Sequence, residues 1–279
     1  MRTGTFRPVS AAADPTPTMA DRLALVPDPD GGHQPGHTDL SSRDACERGH
    51  VFGGLIVAQA ARAAQLTVDP TRPIHSLHSS FLVAGRGGER LHHAVEHTRD
   101  GRSFSTRRVV VRQSGGIVLV LTADFHDDEE GLEYEPPPAP GVPPPDELPT
   151  GRYATRWFDS RDVPVDPDSH ARRAWFHPTA PVPDDPTLHL QCVAYLTDHG
   201  PTRAARQPHA SLDGDANRMS VSLDHNVWFH RPVDVNQWLL TELVPVATGR
   251  ARGLAIGSVR TIEGTLVATF AQEVLLRSR

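Results

Sequence analysis

Two adjacent glycines, Gly53-Gly54, open a stretch that carries apolar residues at helical spacing. Backbone N–H groups with no side chain over them, at the positive end of a helix, make a place for an oxygen bearing developing charge or for a phosphate. The same pair would equally let a buried helix lie close against a sheet. A second concentration of polar groups surrounds the Asp100-Gly101 turn, where Arg99, Arg102, Arg107 and Arg108 cluster. Guanidinium forks suit phosphates, and exposed hairpin faces also carry such charges for solubility. Histidine is frequent, with 16 residues. His75 and His78 lie three apart on a strand-like run and so face opposite ways. His93 and His97 share a face but lack the carboxylate or cysteine set that a metal centre needs. Neither H-E-x-x-H nor C-x-x-C occurs, so no metal is expected, and no other cofactor.

Composition removes further chemistries. All 28 basic residues are arginine, which excludes a phosphate loop ending in Gly-Lys, a Schiff-base lysine and an S-x-x-K nucleophile. G-x-S-x-G is absent, which disfavours a serine hydrolase of the nucleophile-elbow type. A net charge of -6 argues against nucleic acid as a partner, since wrapping phosphates takes a surplus of cations. Cys46 and Cys192 lie too far apart in sequence to suggest a disulfide framework or a zinc ribbon. No run approaches 18 apolar residues, and the first twenty residues lack the apolar block of a secretory signal. A cytoplasmic protein with no membrane span is expected.

These residues must be positioned by a chain of 279 residues, long enough for one large domain or two ordinary ones. Residues 1–40 are rich in Pro, Gly, Ala and Asp and read as a flexible tail. Residues 127–150, acidic and then proline-rich, read as an extended linker. Between and after them lie two blocks, 41–126 and 151–279. The first has a helix over 51–66, then strand-like runs at 75–83, 90–98, 103–111 and 117–125, divided by Gly-containing turns. The second repeats that order, with a helix over Thr187–His199 and runs at 219–230, 237–247, 252–262 and 265–277. Gly101 and Gly115 lie 14 residues apart, and Gly249 and Gly264 lie 15 apart. The copies differ after the helix, where the second carries a long insertion over 200–218, a feature that suggests functional elaboration. A helix followed by an antiparallel meander is an α+β unit. Two in one chain look like a double hotdog fold.

Five ordered segments, VFGGLIVAQAARAA, HSLHSSFLVAG, RDGRSFSTRRVVV, SLDHNVWFHRP and LVATFAQEVLLR, resemble the acyl-CoA thioesterase II family. The resemblance covers residues 48–126 and about 172–279. It implies hydrolysis of fatty acyl-CoA to a free fatty acid and coenzyme A, a place in fatty acid metabolism, acyl-CoA as the small-molecule partner, and no cofactor. It also implies a water-activating set of an acid, a hydroxyl and an amide, which fall here on Asp198, Ser222 and Gln272. Many family members carry Gln after the paired glycines, where this chain has Leu55. Hotdog proteins commonly bury sheet edges or helix faces between subunits, so a homo-oligomer is expected by analogy.

The chemistry of the three residues agrees with that implication. Asp198 falls near the negative end of its helix, where the macrodipole and burial both raise a carboxylate pKa and improve it as a base. Ser222 and Gln272 can hold the water that it deprotonates. Gly53 and Gly54 are candidates for the oxyanion, and Arg99 and Arg102 for the coenzyme A phosphates. His225 and His230 are expected to serve packing beside Trp228 and Phe229. Two alternatives stand beside hydrolysis: an enoyl-CoA hydratase-like enzyme using Asp224-His225, and a non-catalytic acyl-CoA-binding module.

Overall fold

The computed structural model describes residues 17–31, 36–42, 49–166, 169–212 and 218–278. Its described strands form one antiparallel sheet wrapped around two helices. The strands are β1 (Leu25–Pro27), β2 (His37–Ser42), β3 (Ile74–Phe81), β4 (His92–Asp100), β5 (Phe104–Gln113), β6 (Gly116–His126), β7 (Phe158–Val163), β8 (Arg172–Pro178), β9 (Arg218–Ser222), β10 (Asp224–Phe229), β11 (Leu239–Gly249), β12 (Arg252–Thr261) and β13 (Leu266–Ser278). Their order across the sheet is β1-β2-β4-β5-β6-β3-β10-β13-β12-β11-β8-β7, with β9 also pairing β13.

Read from the middle outward, the order repeats. Strands β3, β6, β5, β4 and β2 on one side match β10, β13, β12, β11 and β8 on the other. The two repeats therefore join edge to edge through β3 and β10, where Asn226 lies opposite His78 and Trp228 opposite Ser76. This is the double hotdog expected from the duplicated pattern. The hairpin positions also hold: positive φ at Gly116 (116°) and Gly264 (94°) turns the chain between β5 and β6 and between β12 and β13.

Helix α2 (Gly53–Gln65) and helix α3 (Pro186–Thr197) fill the interior; a preceding short helix, α1, spans Met19–Leu23. Nearly every position of α2 and α3 is buried, which suits the alanine-rich α2: small side chains let it touch sheet and helix on all sides. Asp185 caps α3, accepting from the N–H groups of Thr187 and Leu188 at 3.0 and 3.2 Å. The two helices run antiparallel. Arg62, near the end of α2, donates to Asp185 and to the Thr187 hydroxyl, both at 3.1 Å, at the start of α3.

Two expectations change. Residues 17–31 and 36–40 are not a tail. Thr18 and Asp21 form a reciprocal capping box on α1, whose Met19 and Leu23 are 2% and 0% exposed in the core, and β2 pairs with β4. Burial of a few apolar side chains and pairing along a sheet edge outweigh the Pro- and Gly-rich composition there. Residues 1–16 and 32–35 of the expected tail, and Cys46, lie outside the described residues. The second difference is that β7 and β8 precede α3 in the second repeat. Residues 127–150 have little regular structure and lie docked on the second repeat. Glu135 accepts from the Leu266 N–H at 2.7 Å, and Arg260 donates to the Pro136 carbonyl at 2.9 Å.

Replacing Leu23 by Ala should lower unfolding free energy by about 2–5 kcal/mol in urea titration, as for other fully buried leucines. A change below about 0.5 kcal/mol would mean that α1 does not pack in solution.

Candidate active site

Asp198 is the residue at which α3 ends, its backbone N–H closing onto the Leu196 carbonyl. There the end of α3 meets the start of α2, and the two glycines make the contact. A Cβ on Gly54 would lie 2.6 Å from the Tyr195 carbonyl and 3.0 Å from Asp198 Cβ; one on Gly53 would lie 2.8 Å from Asp198 Oδ2. No side chain fits at Gly54 without parting the helices. Phe52, Tyr195 and His199 cover the junction, with ring centroids 4.5 Å apart for Phe52–His199, 5.2 Å for Phe52–Tyr195 and 5.0 Å for Tyr195–His199.

Asp198 is 9% exposed as a residue. Burial pushes its pKa up to about 7, against hydrogen bonds from the Gln272 amide and the Gly54 N–H that favour the anion. Desolvation thus outweighs both donors, and the carboxyl titrates near neutrality. Its Oδ1 is buried without a hydrogen-bond partner among the protein's described atoms.

Gln272, on β13, is the hub of a short chain of bonds. Its Nε2 donates to Ser222 Oγ at 2.6 Å, its Oε1 faces His225 Nδ1 at 2.6 Å, and His225 Nε2 faces the Thr197 hydroxyl at 2.8 Å. With the Thr197 O–H turned to Nε2 rather than to the Ala194 carbonyl 3.0 Å away, Nδ1–H donates to Gln272 Oε1 and the Gln272 amide donates to Ser222. Ser222 Oγ then accepts from Gln272, and its own O–H is left to donate elsewhere. His225 is fully buried and burial lowers its pKa to about 4, so it stays neutral and holds this tautomer.

A local irregularity brings these side chains together. Residues three apart on a regular strand face opposite ways, yet Ser222 and His225 both meet Gln272. The expected single strand over 219–230 is broken at Leu223. Ser222 pairs with Val274 on one side of the break and Asn226 with Ala271 on the other, a register slip of one residue. Leu223 stays bonded to both neighbours, donating to the Glu273 carbonyl and accepting from the Phe81 N–H, each at 2.9 Å.

The other sequence candidates divide. Gly53 and Gly54 lie at the acid, with the Gly54 N–H turned to Asp198. Leu55 is buried in the core and brings no polar group. Arg99 and Arg102 are exposed on a turn at the far end of α2, about 18 Å from Gly53 along a helix of this length, and the structure does not bring them to Asp198. Their carbonyls anchor that turn, accepting from Arg107 at 2.9 Å and Arg72 at 2.7 Å. Arg107 is 2% exposed and also bonds Thr67 and Asp100, which makes it internal scaffolding, while Arg108 faces Glu96 at 3.5 Å. Asp224 and His225 are not a pair. Asp224 accepts from the Glu273 N–H and from Asn226, on the other face of the strand from His225.

His225 therefore belongs to the site rather than to packing, as does Thr197. The signal available in the sequence was only the polar pair Thr197-Asp198 at a helix end and a histidine in an otherwise apolar strand. Cys192 is buried in α3, and burial pushes its thiol up to about 12, leaving it an inert thiol. Among the described residues, no group of three or more His, Cys, Asp or Glu is placed to hold a metal ion, and no helix is long and apolar enough to cross a membrane.

Comparison with known proteins places this architecture. Residues 41–126 match the family model of the acyl-CoA thioesterase N-terminal domain, and residues 119–276 that of the C-terminal domain. Acyl-CoA thioesterase 2 of Haemophilus influenzae is 30% identical over 250 residues, 81% of this chain and 87% of that protein. The crystal structure of an acyl-CoA thioesterase II from Mycobacterium marinum superposes with a TM-score of 0.79 at 32% identity, over 93% of this chain and 97% of that one. A hot dog fold protein from Alicyclobacillus acidocaldarius, 20% identical, shares the fold with a TM-score of 0.72 over 93% of this chain and 98% of that one. Matched along both repeats, the chain belongs to the acyl-CoA thioesterase II family.

Proposed function

We propose that this chain hydrolyses fatty acyl-CoA to a free fatty acid and coenzyme A, with Asp198 as the general base that activates water. The observation that carries the reading is one buried carboxyl held near neutral pKa and tied through Gln272 to a hydroxyl. A base is most effective when its pKa lies near the working pH, and burial sets that condition here.

The steps follow from the groups present. The carboxylate takes a proton from a water, while the Ser222 O–H donates to the water oxygen and fixes its direction. The hydroxide oxygen bonds to the thioester carbon, and charge moves onto the carbonyl oxygen. The Gly54 N–H serves Asp198, so the Gly53 N–H at the positive end of α2 is the donor left for that oxygen. Collapse breaks the carbon–sulfur bond, and the proton held by Asp198 passes to the departing thiolate. Gln272 touches both acid and hydroxyl and fixes their separation. His225 is a positioning residue that keeps the Gln272 amide from turning over.

The two alternatives fare less well on the same geometry. A hydratase built on Asp224 and His225 would need them on one face, and they lie on opposite faces. A binding module has no use for a buried carboxyl at near-neutral pKa, since desolvating it without compensation costs stability.

Purified protein should release free thiol from acyl-CoA of short, medium or long chain and should leave crotonyl-CoA unhydrated; tight binding with no release from any of them would favour a binding module. Asp198→Asn should keep the native circular dichroism spectrum and lose turnover by about 10²–10⁴-fold. Equal turnover in that variant would remove Asp198 from the mechanism. The unprotonated form is the active base, so kcat/KM should fall with a slope of one proton as pH drops below about 7, and a profile flat from about pH 5 to 8 would contradict a base of that pKa. His225→Ala should lower kcat by up to about 100-fold through a mispositioned Gln272, with KM little changed. Loss of less than twofold would return His225 to a packing role.

A further inference from the structure

Three rings cover the junction that holds Asp198, and they are not held alike. Tyr195 and His199 come from the end of α3 and are 4% and 8% exposed. They belong to an aromatic floor of the second repeat: the His199 centroid lies 5.6 Å from Phe176 and 6.5 Å from Tyr153, and Phe158 stacks on Tyr195 at 5.5 Å. Burial lowers the His199 pKa to about 4, so the ring stays neutral and brings no charge to that floor. Phe52 comes from the first repeat and is 37% exposed. It stands in extended conformation at the N-cap of α2, with no polar atom to tie its side chain down.

We propose that Phe52 is a gate worked by the acyl group: its ring shuts the junction in the state seen here, and on substrate binding it swings outward while the first apolar carbons of the acyl group take its place against Tyr195 and His199. The inference rests on the thioesterase reading and names a residue that decides which acyl groups enter. Four observations support it. First, the ring reaches the acid. A Cβ on Gly54 would lie 2.5 Å from Phe52 Cε1 and 3.0 Å from Asp198 Cβ, so ring edge and acid meet over the same glycine. Second, Asp198 Oδ1 is buried with no hydrogen-bond partner among the described protein atoms. A base sealed in this way must be uncovered to work, and its unpaired oxygen makes the closed state costly. Third, Phe52 is the cover free to move. Phe81, whose Cζ would lie 3.0 Å from a Cβ on Gly53, is fixed in β3, its N–H donating to the Leu223 carbonyl at 2.9 Å. Fourth, what the ring gives up on leaving is apolar contact with Tyr195 and His199, which an alkyl chain restores without leaving a polar group unpaired.

The test puts para-fluorophenylalanine in place of Phe52, which keeps the ring, and follows its fluorine NMR resonance. The probe is S-hexyl-coenzyme A, a thioether with an apolar chain and no carbonyl to hydrolyse. It should move the resonance toward its position in the unfolded chain, and coenzyme A alone should not. In Phe52→Ala no ring has to be displaced, so calorimetry should show S-hexyl-coenzyme A binding about threefold to tenfold more tightly than to the unmodified chain, with coenzyme A affinity unchanged. Phe52→Leu should shift the affinity in the same direction and serves if the alanine variant does not fold. A resonance unmoved by bound thioether, or thioether binding that is equal or weaker in the variants, overturns the gate; thiol release from hexanoyl-coenzyme A by the unmodified chain then leaves hydrolysis by Asp198 standing. No thiol release and no thioether binding overturn the thioesterase reading and this inference together.

Discussion

The site depends on one constraint: two antiparallel helices must meet end to end closely enough to take a carboxyl group out of water. Gly53 and Gly54 at the start of α2 allow that approach, since a Cβ on Gly54 would collide with the Tyr195 carbonyl. Burial alone would raise the pKa of Asp198 further. The Gly54 N–H and the Gln272 amide offset part of that cost, and the balance sets the carboxyl at about 7. The same contact that closes the core thus sets where this carboxyl titrates.

Duplication supplies two equivalent junctions, and the chain uses them differently. At one, the end of α3 meets the start of α2 and buries an acid beside a hydroxyl and an amide. At the other, the end of α2 meets the start of α3, and Arg62 is tied to Asp185 and Thr187. Nearby, the buried Arg107 binds Thr67 and Asp100. The second junction has its charges paired and bonded, which is what a structural joint requires. The cluster at the first draws on both repeats: the glycines and Phe52 from one, Asp198, Ser222, His225 and Gln272 from the other.

Much of this was legible in the sequence because the periods are distinct. The alanine-rich stretch after Gly54 and the alternating runs closed by Gly101, Gly115, Gly249 and Gly264 read directly as helix and hairpins, and they revealed the duplication. The triad of Asp198, Ser222 and Gln272 came from ordered resemblance, since an Asp at a helix end or a Ser on a strand has no distinctive pattern of its own. The place of His225 against Gln272 was out of reach. It depends on a one-residue slip at Leu223, and strand alternation predicts the opposite face. The α1 helix was missed for another reason. Its signal, Thr18 three residues before Asp21 with Met19 and Leu23 four apart, is short and embedded in Pro- and Gly-rich sequence that by composition alone favours disorder.

The central claim concerns the charge state of one group, and infrared spectroscopy reads it directly. The carboxyl C=O band of Asp198, isolated by subtracting the Asp198→Asn spectrum from that of the unmodified chain, should disappear with a midpoint near pH 7 as the group ionises. A midpoint in the ordinary aspartate range, about 4, would mean that the carboxyl stays solvated and that the helix junction does not set the base.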